Sequence, residues 1–203
     1  MAQDPETPKK GLSRRNFLRG TSLATAGLAT AQAGLLANVG AELPPPVVSS
    51  AEGSITLQVN GRTHRLLARP DETLADALRE HLDLTGTKVV CGRGACSACT
   101  VMLDDKPVCS CLTLAVEAQD KAITTIEGLA DGDQLTPIQE AFIEEDASMC
   151  GYCTPGMIMS CTALLDRNPN PTLQDAKEAV RGNLCRCGTY PHVFKAVLRA
   201  AKQ

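Results

Sequence analysis

The sequence predicts an α+β protein: an N-terminal β-grasp domain over residues 53–128, then a C-terminal four-helix bundle over 135–203. Three observations predict it. Between residues 55 and 126, apolar and polar residues alternate in short runs, the period of half-buried strands. From residue 136 onward, apolar residues recur at helical spacing behind four capping signals. Finally, eight of the ten cysteines form two differently spaced quartets, one in each half: Cys91, Cys96, Cys99 and Cys111, then Cys150, Cys153, Cys185 and Cys187.

Residues 1–41 read as a twin-arginine export signal. Ser13-Arg14-Arg15-Asn16-Phe17-Leu18 precedes a weakly apolar stretch, Thr21 to Ala37, and small-residue sites at Ala31-Gln32-Ala33 and Val39-Gly40-Ala41. The stretch is too short and too rich in Ala, Gly and Thr for a membrane span, so the chain is not expected to be a transmembrane protein. Pro44-Pro45-Pro46 begins an extended tether over 42–52. Removing residues 1–41 takes away five basic and two acidic residues, leaving 15 minus 21, or −6. With no Trp and no basic stripe, nothing points to nucleic acid.

In the first domain Ile55, Leu57 and Val59 mark a strand, Asn60-Gly61 a hairpin turn, and Leu66 the returning strand. Thr73 caps a helix running to Leu82, with Leu74, Ala77 and Leu78 on one face. After the Cys91–Cys99 loop come strands at Thr100–Leu103, Val108–Leu112 and Ile123–Ile126, with Asp104-Asp105 as a turn; residues 129–134 are a linker. Thr136-Pro137, Pro155, Thr172 and Pro191 open the four helices. These form two hairpins, with Cys150 and Cys153 at the turn of one and Cys185 and Cys187 at the turn of the other.

The first quartet has the C-x4-C-x2-C spacing of plant-type [2Fe–2S] ferredoxins, in which three thiolates share a tight loop and a fourth comes from later in the chain. Each iron needs tetrahedral sulfur coordination, half from sulfide and half from cysteine. Gly92, Gly94, Ala95, Ser97 and Ala98 let such a loop turn tightly and aim N–H groups at sulfur. The second quartet pairs a C-x2-C with a C-x-C. Zinc competes for C-x2-C, but zinc knuckles usually space their ligands by two residues or more, whereas C-x-C suits a wider cluster with an iron on each hairpin. Five disulfides are a third reading for an exported chain. The twin-arginine route carries proteins already folded, however, so clusters inserted in the cytoplasm and the export signal explain each other.

These residues resemble a specific family, the two-cluster iron–sulfur subunit or domain of molybdenum hydroxylases such as xanthine dehydrogenase, aldehyde oxidoreductase and isoquinoline oxidoreductase. The resemblance is carried by Thr87–Leu103, Cys111-Leu-Thr-Leu114, Ile126-Glu-Gly-Leu129, Cys150-Gly-Tyr-Cys-Thr-Pro-Gly-Met157 and Gly182-Asn-Leu-Cys-Arg-Cys187, and spans about residues 55 to 202. It implies a ferredoxin-like domain and a helical domain with one [2Fe–2S] cluster each. A large partner subunit would carry the molybdopterin cofactor, with either a FAD subunit or an acceptor such as cytochrome c beyond. Electrons would pass from molybdenum to the cluster of Cys150, Cys153, Cys185 and Cys187, then to that of Cys91, Cys96, Cys99 and Cys111. An exported aldehyde oxidoreductase of three subunits is the closest type, and no substrate-converting site is expected in this chain. An N-heterocycle hydroxylase or a free-standing redox carrier is the alternative. Met149 stands where the family generally has a Gln that touches molybdopterin, Ser97 replaces the usual Gly, and Gly188-Thr189 replaces Thr-Gly.

Cys161 falls on an apolar helix face and reads as core. Cys109 lies two residues before Cys111, so on a strand both would share a face and spacing alone does not choose between them. The likeness of Cys-Leu-Thr-Leu to the family favours Cys111. His64, His81 and His192 are scattered, without the paired imidazoles of a Rieske centre.

Overall fold

The structure, a computed structural model, describes residues 51–202. The expected export signal and all but the last two residues of the tether lie outside the described residues.

Strands β1 (Gly53–Val59) and β2 (Arg62–Ala68) pair antiparallel with Ile55 opposite Leu66 and Val59 opposite Arg62. Asn60 and Gly61 between them sit at φ 50° and 73°, as a two-residue hairpin turn requires. Helix α1 begins as an α-turn, Leu74–Asp76, whose N-cap Thr73 hydroxyl accepts the Asp76 N–H at 3.1 Å; it then widens into a π-helical turn, Ala77–His81. A single helix to Leu82 is the expectation. The apolar pattern is blind to the difference, because Leu74, Ala77 and Leu78 are buried all the same.

Strands β3 (Thr100–Leu103) and β4 (Lys106–Cys109) flank Asp104 and Asp105, both at positive φ. The strand expected over Val108–Leu112 therefore stops at Cys109. The Ser110 hydroxyl donates to the Cys99 carbonyl at 2.7 Å and its N–H to the same oxygen at 3.3 Å, which turns the chain into a 3-10 helix, Ser110–Leu112. Likewise β5 is Ala122–Thr124, and Ile126 belongs to a 3-10 turn, Ile126–Gly128. There the Thr125 N–H leaves the ladder and donates to Asn60 Oδ1 at 2.9 Å. A further 3-10 turn, Ala115–Ala118, had no counterpart in the sequence pattern.

The five strands make one mixed sheet in the order β2-β1-β5-β3-β4, with the β1–β5 pair parallel and the others antiparallel. Leu57, Leu74, Leu78, Val101 and Ile123 form the core between sheet and α1. Helices α2 (Pro137–Glu144), α3 (Thr154–Arg167), α4 (Leu173–Ala179) and α5 (Tyr190–Ala200) start at the expected caps and enclose a second core of Phe142, Met157, Cys161, Val193 and Val197. A third cluster, Met102 of β3 with Met159 and Ala163 of α3, joins sheet to helices. Leu129, expected in a linker, packs against these helical and joining cores. Among the described residues no helix is long and apolar enough to cross a membrane.

Candidate metal centres

All ten cysteines carry free thiols, and the eight of the quartets gather at the turns that the fold brings together. Cys91, Cys96 and Cys99 lie on the loop between α1 and β3, and Cys111 on the 3-10 turn after β4. Cys150 and Cys153 lie between α2 and α3, and Cys185 and Cys187 between α4 and α5. Five of them, Cys91, Cys96, Cys150, Cys153 and Cys185, line a single cleft of about 570 Å³.

Within each quartet the thiols sit in pairs. Cys91 is within hydrogen-bonding reach of Cys96, Cys99 of Cys111, Cys153 of Cys185, and Cys150 of Cys187. Among the described residues no three Cys, His, Asp or Glu side chains converge as they would about one metal ion. Zinc asks for four ligands around one point. A two-iron cluster asks instead for two pairs, one per iron, and the observed pairing fits that demand. In the second quartet, however, each pair takes one cysteine from each hairpin, so the expected iron on each hairpin is replaced by pairs that bridge the two turns.

The backbone around the sulfurs supplies donors. The Ala95 N–H points at Cys91 Sγ and the Gly94 N–H at Cys111 Sγ, each at 3.3 Å. Cys91 is drawn down to about 6, first by the Arg93 N–H and then by the Cys96 thiol. For Cys185 burial works the other way, but the Thr189 hydroxyl, 3.3 Å from Sγ, and the Thr189 and Gly188 N–H groups bring it to about 7. Burial raises Cys111 to about 11 and, with the Cys185 thiol, Cys153 to about 12. A buried thiolate needs a cation to neutralise it, and bound iron supplies one.

The two candidates for the fourth corner differ in what surrounds them. Cys111 accepts the Gly94 N–H, a donor that favours the thiolate and works against the burial that disfavours it. Cys109 also reaches Cys99, but its Sγ lies 4.0 Å from the Gly94 carbonyl and 3.7 Å from the Ser97 hydroxyl. A carbonyl suits a neutral thiol that donates. Gly94 is held at φ 67°, the left-handed region that favours glycine, and a Cβ there would meet the exposed Leu112 side chain, which would have to move aside. Ser97 sits at φ 52°, the left-handed region in which glycine is the usual occupant.

Cys161 is fully buried and raised to about 12 by that burial, as a core residue should be. The histidines stay apart: His81 pairs with Glu72 at 2.8 Å, and His192 Nδ1 lies 2.7 Å from the Glu145 carbonyl. Glu144 and Glu145, at the end of α2, are ion-paired with Arg199. Sequence reasoning assigned no role to Asn183, Ser160, Thr189 or Gly156, which pack around the cysteine loops. Nothing in helical periodicity marks a polar residue as buried.

Comparison with known proteins defines the class first. Residues 57–130 match the 2Fe-2S iron-sulfur cluster binding domain and residues 125–198 the [2Fe-2S] binding domain. The nicotine 6-hydroxylase small subunit of Paenarthrobacter nicotinovorans is 48% identical over 149 residues, 73% of this chain and 90% of that protein. The aldehyde oxidoreductase iron-sulfur-binding subunit of Escherichia coli K12 is 41% identical over 207 aligned positions, 94% of this chain and 88% of its own. Quinoline 2-oxidoreductase from Pseudomonas putida 86 superposes with a TM-score of 0.73 at 40% identity, over 75% of this chain and 96% of that one. The chain belongs to the family of small [2Fe–2S] iron–sulfur subunits of the molybdenum hydroxylases. It is thus an electron-transfer subunit of an oxidoreductase complex.

Proposed function

We propose that this chain is the electron-transfer subunit of a periplasmic molybdenum hydroxylase, an aldehyde oxidoreductase, exported by the twin-arginine pathway. A β-grasp domain over 53–128 holds one [2Fe–2S] cluster through Cys91, Cys96, Cys99 and Cys111. A helical-bundle domain over 135–203, joined to it through 129–134, holds the other through Cys150, Cys153, Cys185 and Cys187. When bound, each cluster supplies a site that accepts and releases one electron at a time. Electrons from the molybdopterin cofactor of a large partner subunit enter at the Cys150 and Cys187 edge. They leave by way of the first quartet to a FAD subunit or an external acceptor such as cytochrome c.

The observation that carries this reading is the direct link between the two thiol sets. The Leu184 N–H donates to the Cys96 carbonyl at 3.0 Å, so one hydrogen bond joins the backbone of a first-quartet cysteine to the residue preceding Cys185. The direction of flow draws support from exposure. Cys150 and Cys187 are open to solvent, beside Met149 and Tyr152, which are 72% and 60% exposed. Val90 and Leu184, also exposed, line the cysteine cleft with Tyr152, apolar surface suited to a large partner.

The aldehyde reading is supported by the reach of the E. coli match. A match over 94% of the chain extends into residues 1–50, because the residues from 51 onward are only about three quarters of it. The higher identity to the nicotine 6-hydroxylase small subunit favours an N-heterocycle hydroxylase as the second reading. Purification from the native host tests both. The expected result is a red-brown complex with a molybdenum-bearing subunit that oxidises aldehydes. A stable monomer with no such partner overturns the proposal, and oxidation of N-heterocycles alone selects the second reading.

A further inference from the structure

Asn183 is 2% exposed and belongs to neither quartet, yet each of its polar groups meets a partner. Its N–H donates to the Val180 carbonyl at 2.9 Å, and its carbonyl accepts the Tyr190 hydroxyl at 2.8 Å. Its side chain faces two ways. Nδ2 donates to the Ser97 carbonyl at 3.1 Å, across 86 positions of sequence, while Oδ1 accepts the Ser160 hydroxyl at 3.0 Å. Ser97 lies between Cys96 and Cys99, and Ser160 lies on α3. One amide therefore ties together the first cysteine loop, the helix that follows Cys153, and the segment leading to Cys185.

The surroundings are shaped to this joint. A Cβ on Gly156 would stand 2.3 Å from the Ser97 carbonyl oxygen, so α3 comes this close to the loop only because residue 156 is glycine. The Ser97 carbonyl also accepts the Thr100 hydroxyl at 2.7 Å, which fixes its direction. One residue beyond Asn183, Leu184 makes its bond to Cys96, and the Cys185 N–H donates to the Tyr190 hydroxyl at 2.9 Å. The bond between Ser97 and Asn183 is half-buried, and on its Asn183 side, where the amide is buried, the loss of the partner leaves a desolvated group unpaired.

We propose that Asn183 is a positioning residue that sets the spacing of the two clusters by clamping the Cys185 loop onto the Cys91–Cys99 loop. The proposal rests on the ligand reading given above. A primary amide meets the chemical demand, since it donates to a carbonyl from one end while accepting from a hydroxyl at the other. An aspartate of the same shape keeps the Ser160 bond but sets a carboxylate oxygen against the Ser97 carbonyl. That repulsion opens the joint on the side of the first loop.

Magnetic dipolar coupling between two reduced clusters falls with the third power of their separation, so it reports spacing directly. The experiment compares the purified complex carrying the native chain with those carrying Asn183→Asp, Asn183→Ala, Ser160→Ala and Gly156→Ala. Each is fully reduced with dithionite and examined by low-temperature paramagnetic resonance alongside iron content per chain. The expected result is native iron content throughout, with the intercluster splitting reduced or lost in both Asn183 variants and in Gly156→Ala, and kept in Ser160→Ala. If the Asn183 variants do not fold, Gly156→Ala decides alone, because it displaces the same carbonyl from the opposite side. Full iron with native splitting in the folded Asn183 variants, or in Gly156→Ala where it decides alone, overturns the proposal while sparing the ligand reading. An iron-free native chain overturns the ligand reading and this proposal with it.

Discussion

The choice between Cys109 and Cys111 turns on a single residue's turn in the backbone. Read as a strand through Leu112, the chain would present both sulfurs on one face. Because β4 ends at Cys109 and Ser110 folds back onto the Cys99 carbonyl, the two thiols instead face different neighbours. Cys111 receives the Gly94 N–H, whereas Cys109 faces the Gly94 carbonyl and the Ser97 hydroxyl. Cys111→Ser is therefore expected to lose the iron of the first cluster, about half of the total for two equal clusters. Cys109→Ser is expected to keep it. Iron analysis with visible spectra checks this, and loss of iron in the Cys109 variant alone would reverse the assignment. The grouping of the other seven cysteines into two sets was legible because spacing is a property of the sequence. Which of two near neighbours turns inward depends on a hydrogen bond eleven positions away, which spacing does not record.

At the scale of elements, capping chemistry was the most legible feature and hydrogen-bond ring size the least. Thr136, Thr172 and the prolines at 137, 155 and 191 all stand where helices start, since a cap acts within a few residues of itself. The π turn after Asp76 and the 3-10 turns at Ser110 and Ile126 escaped; the two 3-10 turns are set by hydrogen bonds to distant residues, Ser110 to Cys99 and Thr125 to Asn60. Thr172 offers a clean test of the local kind. Its hydroxyl accepts the Asp175 N–H at 3.3 Å, and its own N–H donates to Asp175 Oδ2 at 2.8 Å. Thr172→Ala is expected to cost about 1 kcal/mol, read as a lower midpoint in thermal or denaturant unfolding, with iron content unchanged. A midpoint equal to the native one would show that α4 is held by packing alone. The Thr172 N–H, then its hydroxyl, hold Asp175 below its usual 3.8. The stability Asp175 adds is accordingly complete above that value and lost as pH falls through the lowered one.

At the scale of the whole molecule, the cores of the sheet and of the helices follow from two periodicities, but the surface that joins them does not. Met102 and Met159 read as ordinary strand and helix residues, and only the fold shows that they meet. That joint matters to the proposed route of export. Loops with thiols in register require sheet and helices already packed, since the Ser97, Asn183 and Leu184 contacts cross between them. On the proposed twin-arginine route, cluster insertion into the folded chain precedes the crossing of the membrane. A double substitution, Arg14→Lys with Arg15→Lys, keeps the charge of the leader while removing its arginine pair. The expected outcome is a chain retained in the cytoplasm with the same iron content and spectrum as the exported one, because residues 14 and 15 precede the folded body. Cell fractionation with iron analysis of each fraction checks this. Equal amounts of native and variant chain in the periplasm would exclude the twin-arginine route, and a retained variant without iron would place cluster insertion after export.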